Sequence, residues 1–321
     1  MRRGTAALIV AALAWGTVAC EDETADPEVV LAPEGGGDRP VVFEPGQVTY
    51  AQRSAIHVGT QTFDVSPRLV DSLDWTPYGL FLKLTTDLDN GPFEVAFYDG
   101  EAMTPVEDVY GDIVTSPDGE LAAWIDRSGP ERPAGRVARA VVVDVSSGEV
   151  VFSSAEGMGG EKGDDLADLY EELPPRVVEL TDDQLVWVDS DASGSVVVSD
   201  LADGTSKVSN KRKLLYPSTA GYRFSSPDGE HRIDATRTGR LEVSPDQPDF
   251  RHRWQTHAGW LGDDVLLALG QDRAGFFPDA SRPDRLPGEV LACDLSAVTC
   301  EVVERVVGAR DVVFAGIDID P

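Results

Sequence analysis

The sequence predicts an all-β protein, on three observations. The string Ser-Pro-Asp-Gly-Glu occurs twice, at 116–120 and at 226–230. From Val41 on, apolar runs of about five residues alternate with turn residues, and outside one short insertion none keeps a helical period. The turns that lead into the second run of each group fall near Gly46, Gly79, Asp118, Asp182, Asp228 and Asp263, steps of about 40 residues once the insertion is set aside. Forty residues is about one four-stranded blade, so the expected architecture is a β-propeller of about six four-stranded blades.

Residues 1–20 open with Arg2 and Arg3, continue in an apolar run from Ala6 to Trp15, and end in Gly-Thr-Val-Ala-Cys. The run is too short to span a bilayer as a helix and reads as a secretory signal. Residues 21–40 are acidic and rich in Pro and Gly. They carry too little apolar surface to offset the entropy of ordering, so they read as a flexible tether. Closed all-β folds often use 250 or more residues as one unit, and 41–321 is read as a single domain.

Within it, Val48 to Tyr50, Ala55 to Val58 and Thr62 to Val65 form the first group. Leu80 to Leu84 follows the turn Trp75-Thr-Pro-Tyr-Gly79, and Phe93 to Tyr98 follows Asp87 to Gly91. The first Ser-Pro-Asp-Gly turn sits between Ile113-Val114 and Leu121 to Ile125, with Arg139 to Val145 and Val150 to Ser153 completing its group. In such a turn proline presets one backbone dihedral, aspartate bonds its own backbone, and glycine takes the left-handed conformation that a β-carbon disfavours. Residues 155–175 interrupt the pattern. There Leu166, Leu169, Tyr170 and Leu173 fall on one face of a short helix over 164–173, stopped by Pro174-Pro175, which would cover a sheet edge or meet a partner.

Strands resume at Arg176 to Leu180, Leu185 to Val188, Ser195 to Ser199 and Thr205 to Ser209, before a basic cluster at Lys211-Arg212-Lys213. The second Ser-Pro-Asp-Gly turn leads into His231 to Ala235, Leu241 to Ser244 and Phe250 to Trp254. A last group holds Ala258 to Leu261, Val265 to Leu269 and a hairpin through Cys293 and Cys300. The run Asp311 to Ala315 has no following hairpin, so it is expected to supply the missing strand of the first group and close the ring. Trp75, Trp124, Trp187, Trp254 and Trp260 recur along the same register, and one large aromatic per blade is expected to fill the gap between neighbouring sheets.

If Ser296 and Ala297 turn the last hairpin, Cys293 lies opposite Cys300 at a separation that suits a disulfide, which fits an oxidising compartment. The formal charge of -30 repels phosphate backbones and argues against a nucleic-acid partner.

Two resemblances add to this reading. Thr17-Val18-Ala19-Cys20 resembles the lipobox of bacterial lipoprotein signals, with Thr17 where leucine is usual. That implies lipid attachment at Cys20 and an anchor in the cell membrane. Ordinary cleavage and release is the alternative. Ser116-Pro-Asp-Gly-Glu-Leu-Ala-Ala-Trp124 is similar to the TolB-type, WD-like propeller repeat, whose members act chiefly as scaffolds for protein or ligand contact. The second copy carries His231 and Arg232 where apolar residues are expected. No catalytic set is shared across that family, so none is carried over.

His57, His231, His252 and His257 form no metal-protease pair, and the chain has no nucleophile elbow, Walker loop or dinucleotide fingerprint. Asp189, Asp191, Ser193 and the twelfth-position Asp200 follow the ligand spacing of a calcium loop. The same residue types also suit any hairpin tip. The resulting expectation is a monomeric, membrane-anchored, non-catalytic binding module for a protein or carbohydrate at the cell envelope. The enzymatic alternative is a carbohydrate-directed hydrolase or lyase with paired acids in the funnel, held about 5 to 10 Å apart.

Overall fold

The computed structural model describes residues 41–44, 46–88, 91–129, 131–132, 135–136, 138–156, 158, 175–188, 196–209, 222–226, 228–236, 240–252, 254–272, 287–308 and 311–315. Blade 1 holds β1 (Thr49–Gln52), β2 (Ala55–Val58) and β3 (Gln61–Asp64). Blade 2 is β4 (Leu69–Thr76), β5 (Gly79–Thr85), β6 (Phe93–Tyr98) and β7 (Met103–Val106). Blade 3 is β8 (Val109–Thr115), β9 (Leu121–Asp126), β12 (Arg139–Asp144) and β13 (Val150–Ser154). A small hairpin, β10 (Glu131–Arg132) and β11 (Gly135–Arg136), is inserted between β9 and β12.

Blade 4 is β14 (Arg176–Leu180), β15 (Gln184–Val188), β16 (Val196–Asp200) and β17 (Ser206–Ser209). Blade 5 has three strands among the described residues, β18 (Tyr222–Ser225), β19 (Arg232–Thr236) and β20 (Arg240–Ser244). Blade 6 is β21 (Trp254–Trp260), β22 (Val265–Gln271), β23 (Pro287–Asp294) and β24 (Thr299–Val307). The last strand, β25 (Val312–Phe314), pairs with β1 in the register Tyr50↔Phe314, Ala51↔Val313, Gln52↔Val312, so blade 1 contains both ends of the fold. Among the described residues the strands form six blades, and the fold is a β-propeller.

The strand sequences follow from their place in the blade. Second strands lie between neighbouring blades and are covered on both faces, so β5, β9, β15 and β22 read as nearly unbroken apolar runs. Outer strands such as β13 alternate, because one face looks to solvent. Inner strands β25, β4, β8 and β14 are successive neighbours, and β21 packs on β25. A parallel bridge between Leu73 and Ala315 gives β4 and β25 the same direction.

The core is correspondingly divided among the seams between blades. Leu73, Leu80, Leu82 and Ile56 fill seam 1–2, Phe81, Phe97 and Trp124 seam 2–3, and Phe152, Leu185 and Trp187 seam 3–4. Ile233, Phe250, Leu266 and Leu291 fill seam 5–6, and Tyr50, Leu267, Val306 and Phe314 seam 6–1.

Cys293 lies opposite Cys300 and the two form a disulfide, as the spacing predicts. Three expectations are corrected. The segment from Phe250 to Trp254 is not a fourth strand of blade 5. Pro248 offers no N–H to a ladder, and the backbone bonds are spent locally, Phe250 N to Pro248 O (3.1 Å) and His252 N to Phe250 O (2.6 Å). Trp254 instead begins β21. The tryptophans do not share one register. Trp124 and Trp187 hold matching places on second strands, whereas Trp75 and Trp260 lie on inner strands. The third concerns the turn expected at Trp75-Thr-Pro-Tyr-Gly79: Trp75 and Thr76 end a full inner strand, Leu69–Thr76, that its polar residues Asp71, Ser72 and Asp74 conceal in the sequence, and Gly79 begins the next strand. The helix expected over 164–173 lies outside the described residues.

Candidate functional site

The blades divide the chain's connections between two faces. On one face lie the turns from first to second strand and from third to fourth. Among the described residues the longest of these is 226–231. The two Ser-Pro-Asp-Gly copies build the same network. Ser116 Oγ donates to Asp118 Oδ1 (2.7 Å) and accepts from Leu121 N (2.9 Å), while Asp118 Oδ1 accepts from Glu120 N (3.0 Å). Ser226, Asp228, His231 N and Glu230 N repeat it, with Gly119 and Gly229 at φ 73° and 75°.

Other blades reach the same geometry from different residues. Thr181 Oγ1 accepts from Gln184 N (3.1 Å) in blade 4, and Thr76 Oγ1 donates to Gly79 O (2.9 Å) in blade 2. Third strands end in an aspartate that closes the next turn. Asp99, Asp144, Asp200 and Asp294 accept from the backbone N–H of Ala102, Ser147, Ala202 and Ala297 respectively. Residues 41–44 dock on this tight-turn face, where Val41 N donates to Gly100 O (2.9 Å) and Phe43 packs edge-on to Tyr98.

The opposite face holds the strand ends that flank the connections 86–92, 127–138, 155–175, 189–195, 210–221 and 272–286, which lie largely outside the described residues, while 245–253 runs from one face to the other. The predicted calcium ligands Asp189, Asp191 and Ser193 fall in one of these, outside the described residues. Asp200 ends β16. The register Val188↔Val196 and Gln184↔Asp200 puts Asp200 at the far end of the β15–β16 hairpin, about 13 Å of strand away. Its carboxylate there accepts from Ala202 N (2.9 Å) and Asp203 N (3.3 Å). Lys211, Arg212 and Lys213 lie outside the described residues, as does Cys20. Of the histidines, His231 is buried with Nε2 3.4 Å from Asp264 of the next blade, and the His57 ring stacks on Tyr50.

A groove of about 600 Å³ opens onto the long-connection face at the seam of blades 2 and 3. Lys83 forms part of its lining, with Phe93 and Glu94 at the start of β6, Glu107 and Asp108 between blades, and Tyr110 on β8. Inner-strand acids fix Lys83, whose Nζ is 3.1 Å from Asp71 Oδ2 and 2.7 Å from Asp112 Oδ1. Burial pulls the Lys83 ammonium down, but the two carboxylates together outweigh it and hold its pKa above the ordinary lysine value.

The same ammonium sits over the Phe93 ring at 4.4 Å, and the Arg127 guanidinium lies 3.4 Å from the Tyr110 centroid. Nearby, buried Asp126 accepts from Arg139 Nε (2.8 Å) and from the amide and hydroxyl of Ser128 (both 2.8 Å). On blade 6, His252 lies between Asp272 (3.0 Å) and Glu289 (2.9 Å). The hydrogen bond from His252 is the main cause that lowers the Glu289 pKa, with Arg305 adding to it.

Sequence reasoning did not find the groove. Lys83, Phe93 and Tyr110 carry no motif, and only the packing of β5, β6 and β8 brings them together.

No protein family's profile matches the chain, and no curated protein matches it. Among solved structures, TolB from Acinetobacter baumannii is 13% identical over 86% of this chain and 68% of its own, with a TM-score of 0.43. A chain of a nidogen/laminin complex is 12% identical over 84% of this chain and 98% of its own, at 0.41. An oligogalacturonate lyase in complex with manganese is 13% identical over 84% and 74%, at 0.36. The chain's own sheet order and register carry the fold.

Proposed function

We propose that this chain is an exported, lipid-anchored propeller that serves as a non-catalytic binding or scaffold module at the cell envelope, offering its long-connection face to a protein or carbohydrate. The supporting observation is the sorting of connections. Hydrogen-bonded turns and the docked residues 41–44 share one face, and the groove and the strand ends that flank the long connections share the other. Loops carried on a rigid scaffold are where binding residues concentrate.

A chain running back from Val41 to a lipid on Cys20 would leave from the tight-turn face. Twenty flexible residues span on the order of 25 Å, which leaves the long-connection face clear for a partner. Asp71 and Asp112, acids on the neighbouring inner strands β4 and β8, already share the Lys83 ammonium. That arrangement suits a structural ion pair better than acid–base turnover.

The test has two arms in the native host. Labelled palmitate enters the wild-type protein and not Cys20→Ala. A photo-crosslinking residue at Pro92, exposed beside Phe93 at the groove, gives a discrete adduct in membranes, and one at Glu149 on the other face does not. Equal labelling of Cys20→Ala, or equal adducts from both faces, contradicts the reading.

A further inference from the structure

We propose that the groove between blades 2 and 3 is a docking slot for an extended basic peptide segment of a partner protein. In it, a Lys or Arg side chain lies against Phe93 and pairs with Glu107. This deepens the binding-module reading above and rests on it.

Four observations converge. The groove is concave, at about 600 Å³, the size of a site that encloses a few side chains, and it is open along the face rather than closed over. That shape suits a segment of chain more than a small cation, which would lack enclosure. Phe93, on one wall, is 50% exposed although it begins a strand and most aromatics of the fold are covered. Its exposed ring offers a ligand apolar area and a π face on the groove wall.

Lys83 over Phe93 and Arg127 over Tyr110 are cation–ring contacts already made in this groove, and half of Phe93 stays exposed beyond the Lys83 ammonium.

The charge balance favours the same ligand. Glu94, Glu107 and Asp108 outnumber Lys83 in the lining, in a chain of formal charge -30. Asp71 and Asp112 neutralise Lys83, so it does not invite an anion. Arg68 takes up Glu94 (2.6 Å), whereas Glu107 makes no ion pair among the described residues and is exposed. A basic side chain entering the slot would therefore find one unclaimed carboxylate beside the part of the Phe93 ring that Lys83 leaves uncovered. It would also approach a surface that attracts it over long range.

The probe is a fluorescein-labelled decapeptide of alternating arginine and glycine, titrated with the purified domain in 150 mM salt and followed by anisotropy. Wild type is expected to bind saturably. Glu107→Gln combined with Phe93→Ala is expected to weaken binding about tenfold, and Phe93→Leu, which keeps the volume and loses the ring, should weaken it by itself. Glu149→Gln, on the far face, should change it less than twofold.

Equal weakening by Glu149→Gln would mean that net charge alone attracts the peptide, and it would overturn the proposal. So would unchanged binding by the double variant, or a groove that binds chitohexaose through Phe93 and ignores the peptide. If the double variant loses the peptide while adducts from Pro92 in membranes never form, the slot stands and the envelope reading falls. If adducts form and the peptide does not bind, the reverse holds.

Discussion

Ser116→Ala is expected to destabilise the domain by about 2 kcal/mol. The Ser116 hydroxyl, in a residue 3% exposed, accepts from Leu121 N (2.9 Å) and donates to Asp118 (2.7 Å). Alanine leaves the Leu121 N–H at the start of β9 without its side-chain acceptor, which costs about 1 to 3 kcal/mol for a buried donor, and it also removes a bond to a charged oxygen. In a domain of this size the loss should lower Tm by about 4 to 8 °C.

Ser226→Ala removes the matching pair of bonds in blade 5 and should cost about as much. Thr181→Ala acts at a site where water can replace the hydroxyl, so its cost should be nearer 0.5 to 1 kcal/mol. Ser116 and Ser226 share no partner, so the double variant should equal the two single losses within about 0.5 kcal/mol. Urea denaturation followed by tryptophan fluorescence reads these values, with Trp124 on the strand that the first turn leads into. A loss below about 0.5 kcal/mol for Ser116→Ala, or a larger loss for Thr181→Ala, would refute the repeat's structural role.

Three further outcomes follow from the structure. Hydrogen bonds, chiefly from the hydroxyls of Ser66, Ser146 and Ser226, depress the pKa values of Asp64, Asp144 and Asp228 below the ordinary 3.8. Their contribution is therefore complete above that value and lost as pH falls through the lower folded values, so Tm should fall as pH drops below about 4, and less steeply in Ser226→Ala. A flat or rising Tm in that window would contradict the assignment. Cys293→Ser with Cys300→Ser opens a short loop and should cost about 2 to 3 kcal/mol, whereas in the unreduced wild type neither thiol should react with iodoacetamide. Finally, because Asp200 closes the β16–β17 turn, Asp200→Asn should give the same calcium titration by calorimetry as wild type. A lost or weakened binding heat would return Asp200 to the ligand set.

Much of the fold is legible in the sequence because its turns use side-chain chemistry that cannot be satisfied otherwise. Ser-Pro-Asp-Gly at 116 and 226 marks two first-to-second turns, and the spacing of Cys293 and Cys300 gives the register of the last hairpin. The unpaired run before Ala315 gives the closing strand. Inner strands are harder to read. Leu69–Thr76 is neither continuously apolar nor strictly alternating, since its environment changes residue by residue between two neighbouring blades.

Phe250 misleads for the opposite reason. It is an apolar residue buried from a turn, and burial alone does not make a strand. The candidate site is the least legible part. Lys83, Phe93, Glu107 and Tyr110 become neighbours only when blade 2 packs on blade 3, and no local pattern records that event.

The central claim is that both ends of the domain share blade 1, which fixes which connections lie on which face. Ala51→Cys with Val313→Cys, in a Cys20→Ala background, tests it directly, because the two residues are paired across β1 and β25. Under mild oxidation the fold predicts one new disulfide between residues 51 and 313 in peptide mapping, alongside Cys293–Cys300. If residues 51 and 313 stay as free thiols while Cys293–Cys300 forms fully, the ends do not meet and the division of the molecule into two faces is wrong.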